Sequence, residues 1–430
     1  MNKEQRVVII GAGVFGLSTA LQLSSEGYKS VVVLDRHTPP VPDGSSVDIS
    51  RVIRFDYGDG THTAIAKEAY DLWATSPLYK DVFFPTPFVV TATNAPGRSY
   101  IDKCLHNLDQ LSLPYQRLQD AQLTKRIFPA LTGDLGGASF HGYWNSAAGW
   151  ADAQLAITLL RDQCIEAGVS FISGARGTVT AFRRRLGTSQ IVAVQTRSGN
   201  HVEGDIFVLA AGAWSSRLAP MRNTVLATGQ VVGYLRLSEL EMDRYQNLPI
   251  YINFDSGFLL FPPHRRSGYL KFMVHGYGYT RQVKNGDIIE TLSSPTLKPR
   301  SARTNFAPSD GVDQLRKGLA KALPELADRA FERACICWYN DTPTGEFVLD
   351  YHPDHENLFV ATGGSGHAFK FLPVLGKYIV GAMKRDLPLD LLHKWRFRTE
   401  YCQAQDLFKG DGSRGGPHRR EFLAEERAKM

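Results

Sequence analysis

The stretch "RVVIIGAGVFGLSTALQLSSEGYKSVVVLD" at residues 6–35 constrains this chain more than any other. Val7 to Ile10 is a continuous apolar run, the pattern of a strand buried on both faces. Gly11, Gly13 and Gly16 follow in G-x-G-x-x-G spacing. Gly11 permits a tight turn, Gly13 lets backbone approach a pyrophosphate, and Gly16 lets the next helix pack close to the strand. That helix is expected from about Val14 to Glu26, with Val14 and Phe15 at the entrance where free N–H groups favour an anion. A second strand ends at Asp35, placed to accept hydrogen bonds from a ribose diol, with Arg36 beside it. Strand, glycine turn, helix and acid in this order read as a dinucleotide site. The alternative is a glycine-rich turn in some other α/β protein.

The motif does not distinguish NAD from FAD, and later segments bear on the choice. "HVEGDIFVLAAGAWSSRL" is a strand running into a small-residue turn with Gly212 and Trp214. Before it, an amphipathic helix carries Leu155, Leu159, Leu160 and Cys164 on one side. The nucleotide domain is therefore assembled from separated pieces, where a simple NAD dehydrogenase usually finishes it in one run. At 430 residues the chain has room for two domains. Its net charge of +6 forms no long Lys/Arg block, which argues weakly for anionic small substrates and does not argue for nucleic acid. The five cysteines, Cys104, Cys164, Cys335, Cys337 and Cys402, are an odd, scattered set suited to a reducing compartment. No apolar run reaches membrane-spanning length. The N-terminus enters a strand at once, leaving no room for a signal peptide. Ala428-Lys429-Met430 is a conservative variant of the Ser-Lys-Leu peroxisomal address, with a frayed terminus in the cytoplasm as the alternative.

Five blocks in order, "IIGAGVFGLSTALQL", "SRVIRFDYGDG", "GQVVGY", "YLKFMVH" and "ERACICWYNDTPTGEFVLDYHPDHENLFVATGGSGHAFKF", make the chain resemble the FAD-dependent amine oxidases of the D-amino-acid oxidase superfamily. The branch is that of monomeric sarcosine oxidase, with fructosyl-amino-acid, saccharopine and pipecolate oxidases beside it. The resemblance runs from about Arg6 to about Pro388. It implies an α/β fold: a Rossmann-type FAD domain (1–85, 146–220 and 329–402) interleaved with an α+β substrate domain (86–145 and 221–328) whose mixed sheet roofs the flavin. The tail, 403–430, lies outside it and reads as disordered or a short surface helix.

The resemblance also implies roles. Cys337 lies in the register of a cysteine that binds the flavin covalently. Cys335, two residues earlier on the same strand face, is its neighbour or rival. Lys271 matches a lysine that activates dioxygen, and His275, four residues on, shares its strand face and lines the substrate cavity. Arg51 and Arg54 are three apart, so on a helical turn they share a face. Arg54 grips the substrate carboxylate and Arg51 sits near the flavin. The family often has a histidine four residues before the Arg51 position, where this chain has Val47, which puts strict sarcosine specificity in doubt. Gly363, Gly364 and Gly366 bring backbone and a helix N-terminus to the flavin ring. Lys370 pairs with the arginine on the carboxylate, and His367, one turn before it, lines the site or only packs. Ser46 and Phe369 complete the cofactor set. His264, Arg265 and Arg266 form a basic cluster read as a solvated hairpin tip.

The expectation is flavin-dependent oxidation of a secondary-amine amino acid to an imine by a monomer, with dioxygen reduced to hydrogen peroxide. No metal, nucleic acid or membrane is involved. Alternatives are a larger amine substrate (saccharopine, a fructosyl amino acid or a secondary metabolite), a dehydrogenase using another electron acceptor, and a non-catalytic flavin binder.

Overall fold

A computed structural model of the chain describes residues 1–285, 288–297, 300, 302–401 and 410–430. Its first sheet runs Val348–Tyr351, Leu358–Thr362, Ile206–Leu209, Arg6–Ile10, Ser30–Leu34, Ser170–Ile172. Every neighbouring pair is parallel except the first, which is antiparallel. Three distant stretches of chain thus build one nucleotide-type sheet, as the patterning implied. Val7, Val8 and Ile9 are fully buried in the middle of it. The helix Val14–Ser25 covers one face together with Ala153–Glu166 and Leu372–Lys384. At Gly376 a Cβ would stand 2.3 Å from the Ser18 carbonyl oxygen, so only glycine lets those two helices approach this closely.

Among the described residues the second sheet has ten strands. Its centre is Leu226–Arg236, paired on one side with Tyr269–Val274 and along its length with Arg333–Asp341, which places Gln230 opposite Cys337. The strand carrying both cysteines is therefore hydrogen-bonded into this larger sheet. One apolar core joins the two sheets, since it holds Val7 and Ile9 from the first and Phe261, Met273 and Cys337 from the second. The site sits at that junction.

Two expectations are corrected. Residues Arg51–Ile53 form a strand rather than a helical turn, paired with Gly149–Ala151. β-branched Val52 and Ile53 suit the extended state, and the partner strand lies about a hundred residues away, beyond the reach of local spacing. The described part of the tail, 410–430, is docked rather than disordered. Arg420–Glu421 pairs with Tyr279–Thr280, Phe422 is 1% exposed in the second core, and Ala424–Ala428 is helical. Arg414, buried, donates to the two carboxylate oxygens of Asp341 at 2.6 and 3.0 Å. A charge-rich composition hid one aromatic anchor and one bidentate ion pair. Cys402 lies outside the described residues. No described helix is long and apolar enough to cross a membrane.

Candidate functional site

A single long cavity runs between the two sheets. At one end is the first glycine turn. Gly11 has φ +112°, and a Cβ there would stand 2.4 Å from the Ala210 carbonyl oxygen. Gly16 lies beneath the cavity, its hydrogen facing the Gly11 carbonyl, where a Cβ would stand at 1.9 Å. Gly13 caps the helix without any side-chain hydrogen bond, and Ser46 Oγ accepts from Val14 N at 2.9 Å. Asp35 accepts from Ala12 N at 2.7 Å and from Arg36 N at 2.6 Å. Burial raises its carboxyl above the usual range. Arg36 is held by Asp43 through two bonds of 2.9 Å and lies 4.3 Å over the Trp214 ring. Beside Trp214, Gly212 has φ +52° and open space where a Cβ would point. A helix entrance whose N-cap glycine has no side chain, open space at Gly212 and a half-buried acid at the strand end fit the pyrophosphate and ribose of a dinucleotide.

The middle of the cavity is organised by Asp48, which sequence reasoning missed. Its Oδ2 meets Arg51 at 2.7 Å, Lys271 at 3.0 Å and Arg303 at 3.4 Å, and its Oδ1 accepts from Tyr234 OH at 2.8 Å. Burial opposes its charge, but Lys271, Arg51 and Arg303 together overcome that and hold the carboxyl well below the usual range. Lys271 is 1% exposed and also donates to the Ser50 carbonyl at 2.6 Å. Burial brings its pKa down to about 8 despite Asp48. Cys337 opens onto the cavity with Arg51 Nη2 3.7 Å from its sulfur. Cys335 is fully buried and does not line the cavity.

The far end is formed by the second glycine turn. Gly363, Ser365 and Gly366 all have positive φ, and a Cβ on Gly366 would stand 2.3 Å from the Tyr339 ring. The turn leads into a short 3-10 segment, Ala368–Phe371, and then the helix Leu372–Lys384. His367 Nε2 lies 2.8 Å from the Gly345 carbonyl oxygen, to which it donates, so Nδ1 accepts from Tyr57 OH at 3.0 Å. The Tyr57 oxygen in turn accepts from Lys370 Nζ at 2.9 Å, and Lys370 also donates to the His367 carbonyl at 2.8 Å. No carboxylate pairs with Lys370 among the described residues. Burial, then Arg54, push its pKa well below the ordinary lysine value. Phe369 lines the wall near Trp73, whose indole donates to the Lys370 carbonyl at 2.7 Å.

Arg54 is the outlier. It is 8% exposed, its guanidinium lies over the rings of Tyr57 (4.9 Å) and Phe88 (5.3 Å), and Nη1 has no hydrogen-bond partner among the described residues. An unpartnered buried guanidinium facing a cavity, with an ammonium nearby, marks a place for an anion.

His275 follows the end of its strand and bonds to Tyr339 OH at 3.2 Å and Ser413 Oγ at 3.1 Å. Burial, then Arg414, bring its pKa down to about 3, so the ring is neutral. The tail residues Asp411 and Ser413 also line the cavity. His264, Arg265 and Arg266 do not. His264 is buried against Asp152 at 3.1 Å, Arg266 reaches the same carboxylate at 2.9 Å, and Arg265 pairs with Asp243 at 2.9 Å. Of the sequence-predicted set, Gly11, Gly13, Val14, Phe15, Asp35, Arg36, Ser46, Arg51, Arg54, Gly212, Trp214, Lys271, His275, Cys337, Gly364, Gly366, His367, Phe369 and Lys370 all line this cavity. Tyr57 lies within the "SRVIRFDYGDG" block and Asp48 two residues before it, and polar residues flanking an arginine pair were the signal that could have found them. Nothing local marks Tyr339, Asp411 or Ser413.

Residues 6–382 match the family model described as FAD dependent oxidoreductase. The chain is 30% identical over 405 residues to L-saccharopine oxidase of Schizosaccharomyces pombe, covering 92% of this chain and 93% of that protein. It is 26% identical over 412 residues to monomeric sarcosine oxidase of Bacillus sp. (strain NS-129), covering 92% and 98%. Among solved structures it is similar to the deglycating fructosamine oxidase Amadoriase II of Aspergillus fumigatus, with TM-score 0.86, 28% identity and coverage of 98% and 96%.

Proposed function

The chain belongs to the FAD dependent oxidoreductase family, and from that premise we propose that it is an amine oxidase of secondary-amine amino acids. The substrate loses two electrons and two protons across its C–N bond to become an imine, and dioxygen takes them up as hydrogen peroxide. Bound FAD supplies the electron acceptor for the C–N bond and the donor to oxygen.

The residues of the chain supply position and charge. Gly11, Gly13 and Asp35 would hold the dinucleotide, and the N-terminus of the Val14–Ser25 helix would offer its positive end to the pyrophosphate. Arg54 and Lys370 clamp the substrate carboxylate, which supplies the anion that Nη1 of Arg54 lacks. Tyr57 stands between them and orients the Lys370 ammonium. Lys271 holds a positive charge in a water-poor wall of the cavity, where it favours negative charge developing on oxygen. Cys337 would be the point at which the flavin is tethered, since Cys337 lines the cavity and Cys335 does not. Catalysis then comes chiefly from positioning. We infer a peroxisomal location from Ala428-Lys429-Met430, a conservative variant of the Ser-Lys-Leu address, with which a peroxide-forming reaction accords.

The observation that carries this reading is the buried, unpartnered Arg54 beside Lys370 in a flavin-family cavity. The similarity to L-saccharopine oxidase favours a second reading, in which the amine is a large one. The test is a panel of sarcosine, pipecolate, saccharopine, fructosyl-valine and N-methyl aromatic amino acids, read as peroxide released per oxygen consumed. Stoichiometric peroxide from one or more of them supports an oxidase. Substrate-dependent dye reduction without peroxide makes the protein a dehydrogenase. No turnover of any member overturns the proposal.

A further inference from the structure

The docked tail brings a carboxylate to the part of the cavity that holds Arg54 and Lys370. Asp411 is half-buried, lines the cavity, and has no Lys or Arg within ion-pair distance among the described residues. Its place is built. Tyr100 OH donates to its Oδ2 at 3.1 Å, and Ser413 N and Oγ donate to its Oδ1 at 3.0 and 2.5 Å. Ser413 Oγ spends its proton on Asp411, so it accepts from His275 Nε2, and His275 Nδ1 accepts from Tyr339 OH. Hydrogen bonds therefore point from Tyr339 through His275 and Ser413 toward Asp411. The next residue, Arg414, fastens the tail to Asp341 and to the carbonyls of Gly276 and Ser365, from both sides of the cavity. Three donors favour the ionised carboxylate, and Oδ2 keeps accepting capacity.

Arg54 is the independent sign that this cavity is shaped for a charged ligand, because its buried Nη1 lacks an acceptor among the described residues. The ligand's carboxylate goes there. Asp411 asks for the opposite charge. That charge is not on the reacting nitrogen: an ionised carboxylate beside it would keep it protonated, and a protonated amine has no lone pair to assist loss of hydride.

We propose that Asp411 is a specificity-determining residue that holds a second ammonium group of the substrate. The substrate class is then an amino acid with a secondary amine near its carboxylate and a further cationic nitrogen some bonds away. This rests on the amine-oxidase reading, in which Arg54 and Lys370 hold the carboxylate. Residues 410–430 lie beyond the stretch matched by the family model, residues 6–382.

The test uses two probes of equal length, N-(5-aminopentyl)glycine and N-hexylglycine, which differ by an ammonium in place of a methyl group. Binding to the full-length flavoprotein is measured by calorimetry under anaerobic conditions. The wild type should bind the ammonium probe about tenfold or more tightly. Asp411→Asn should bring the ratio near one, and Asp411→Glu, which keeps the charge, should retain most of it. A wild-type ratio near one, or a ratio that Asp411→Asn does not change, overturns the proposal. Should Asp411→Asn fail to fold, Asp411→Glu and the salt dependence of the ratio decide it: the preference must weaken as ionic strength rises. Failure of the parent reading shows elsewhere, as unchanged binding of both probes in Arg54→Met.

Discussion

Two pairs of cations share one cavity and are treated in opposite ways. Arg51 and Lys271 meet Asp48, a buried carboxylate supplied by the protein itself. Arg54 and Lys370 form no ion pair with a carboxylate among the described residues; Asp56 and Asp411 act on them only from beyond contact distance, and their direct neighbours are aromatic rings, a phenol and a carbonyl. A compensated pair keeps its charge in place whether or not a ligand is bound, which suits stabilising charge that appears during a reaction. An uncompensated pair costs free energy until an anion arrives, which suits binding. The difference separates a part of the site that must always be ready from a part that must recognise.

The sharpest way to break this comparison is Asp48→Asn. It leaves Arg51, Lys271 and Arg303 facing one another without an anion, so unfolding in denaturant should show a loss of about 3–5 kcal/mol. Retained stability would mean that Asp48 is not the counter-charge. Arg54→Met should act on the other pair and in the other currency. Its kcat/KM for carboxylate-bearing amines should fall about 10²–10³-fold, roughly 3–4 kcal/mol, while folding stability holds or rises. A folding defect with intact kinetics would reverse the roles of the two pairs.

Cys337→Ser should release yellow colour from the acid-precipitated pellet into the supernatant. Colour that stays in the mutant's pellet would move the tether to Cys335. A smaller effect follows from pH. Lys271 loses its proton as pH rises through about 8, so the oxygen reaction should slow above that value, about tenfold at most per unit. Stopped-flow reoxidation of Lys271→Met should lack that inflection. The same group is held more loosely folded than at its ordinary value of 10.5, so its contribution to stability increases with pH between about 8 and 10.5, opposite to the rate. Smallest of all, Ser46→Ala should cost about 1 kcal/mol by removing the acceptor of Val14 N at the helix entrance.

The nucleotide end was legible because its determinants are local. Val7 to Ile10 read as a doubly buried strand and are one, and the turn needs glycine at Gly11 for a backbone reason that no distant partner alters. The Arg51–Arg54 spacing misled because three residues describe a helix face only if the segment is helical, and pairing with Gly149–Ala151 made it a strand. The two arginines still reach the same cavity, since the chain leaves the strand after Ile53. The tail was illegible for a related reason. Arg414 looks like one more surface charge until Asp341, 73 residues earlier in the chain, is beside it.

Sequence alone determined that this protein carries a dinucleotide cradle, that the cradle is closed by distant segments, and that basic side chains gather near it. These follow from apolar periodicity and from glycine's backbone freedom, both properties of neighbouring residues. Only the tertiary structure decided which of those basic side chains is already neutralised, and that the last twenty residues supply a wall of the cavity. Charge interaction falls with distance in space and not along the chain, so Asp48 with Lys271, Asp341 with Arg414, and the lack of an ion pair for Arg54 among the described residues could not be read before the fold brought them together.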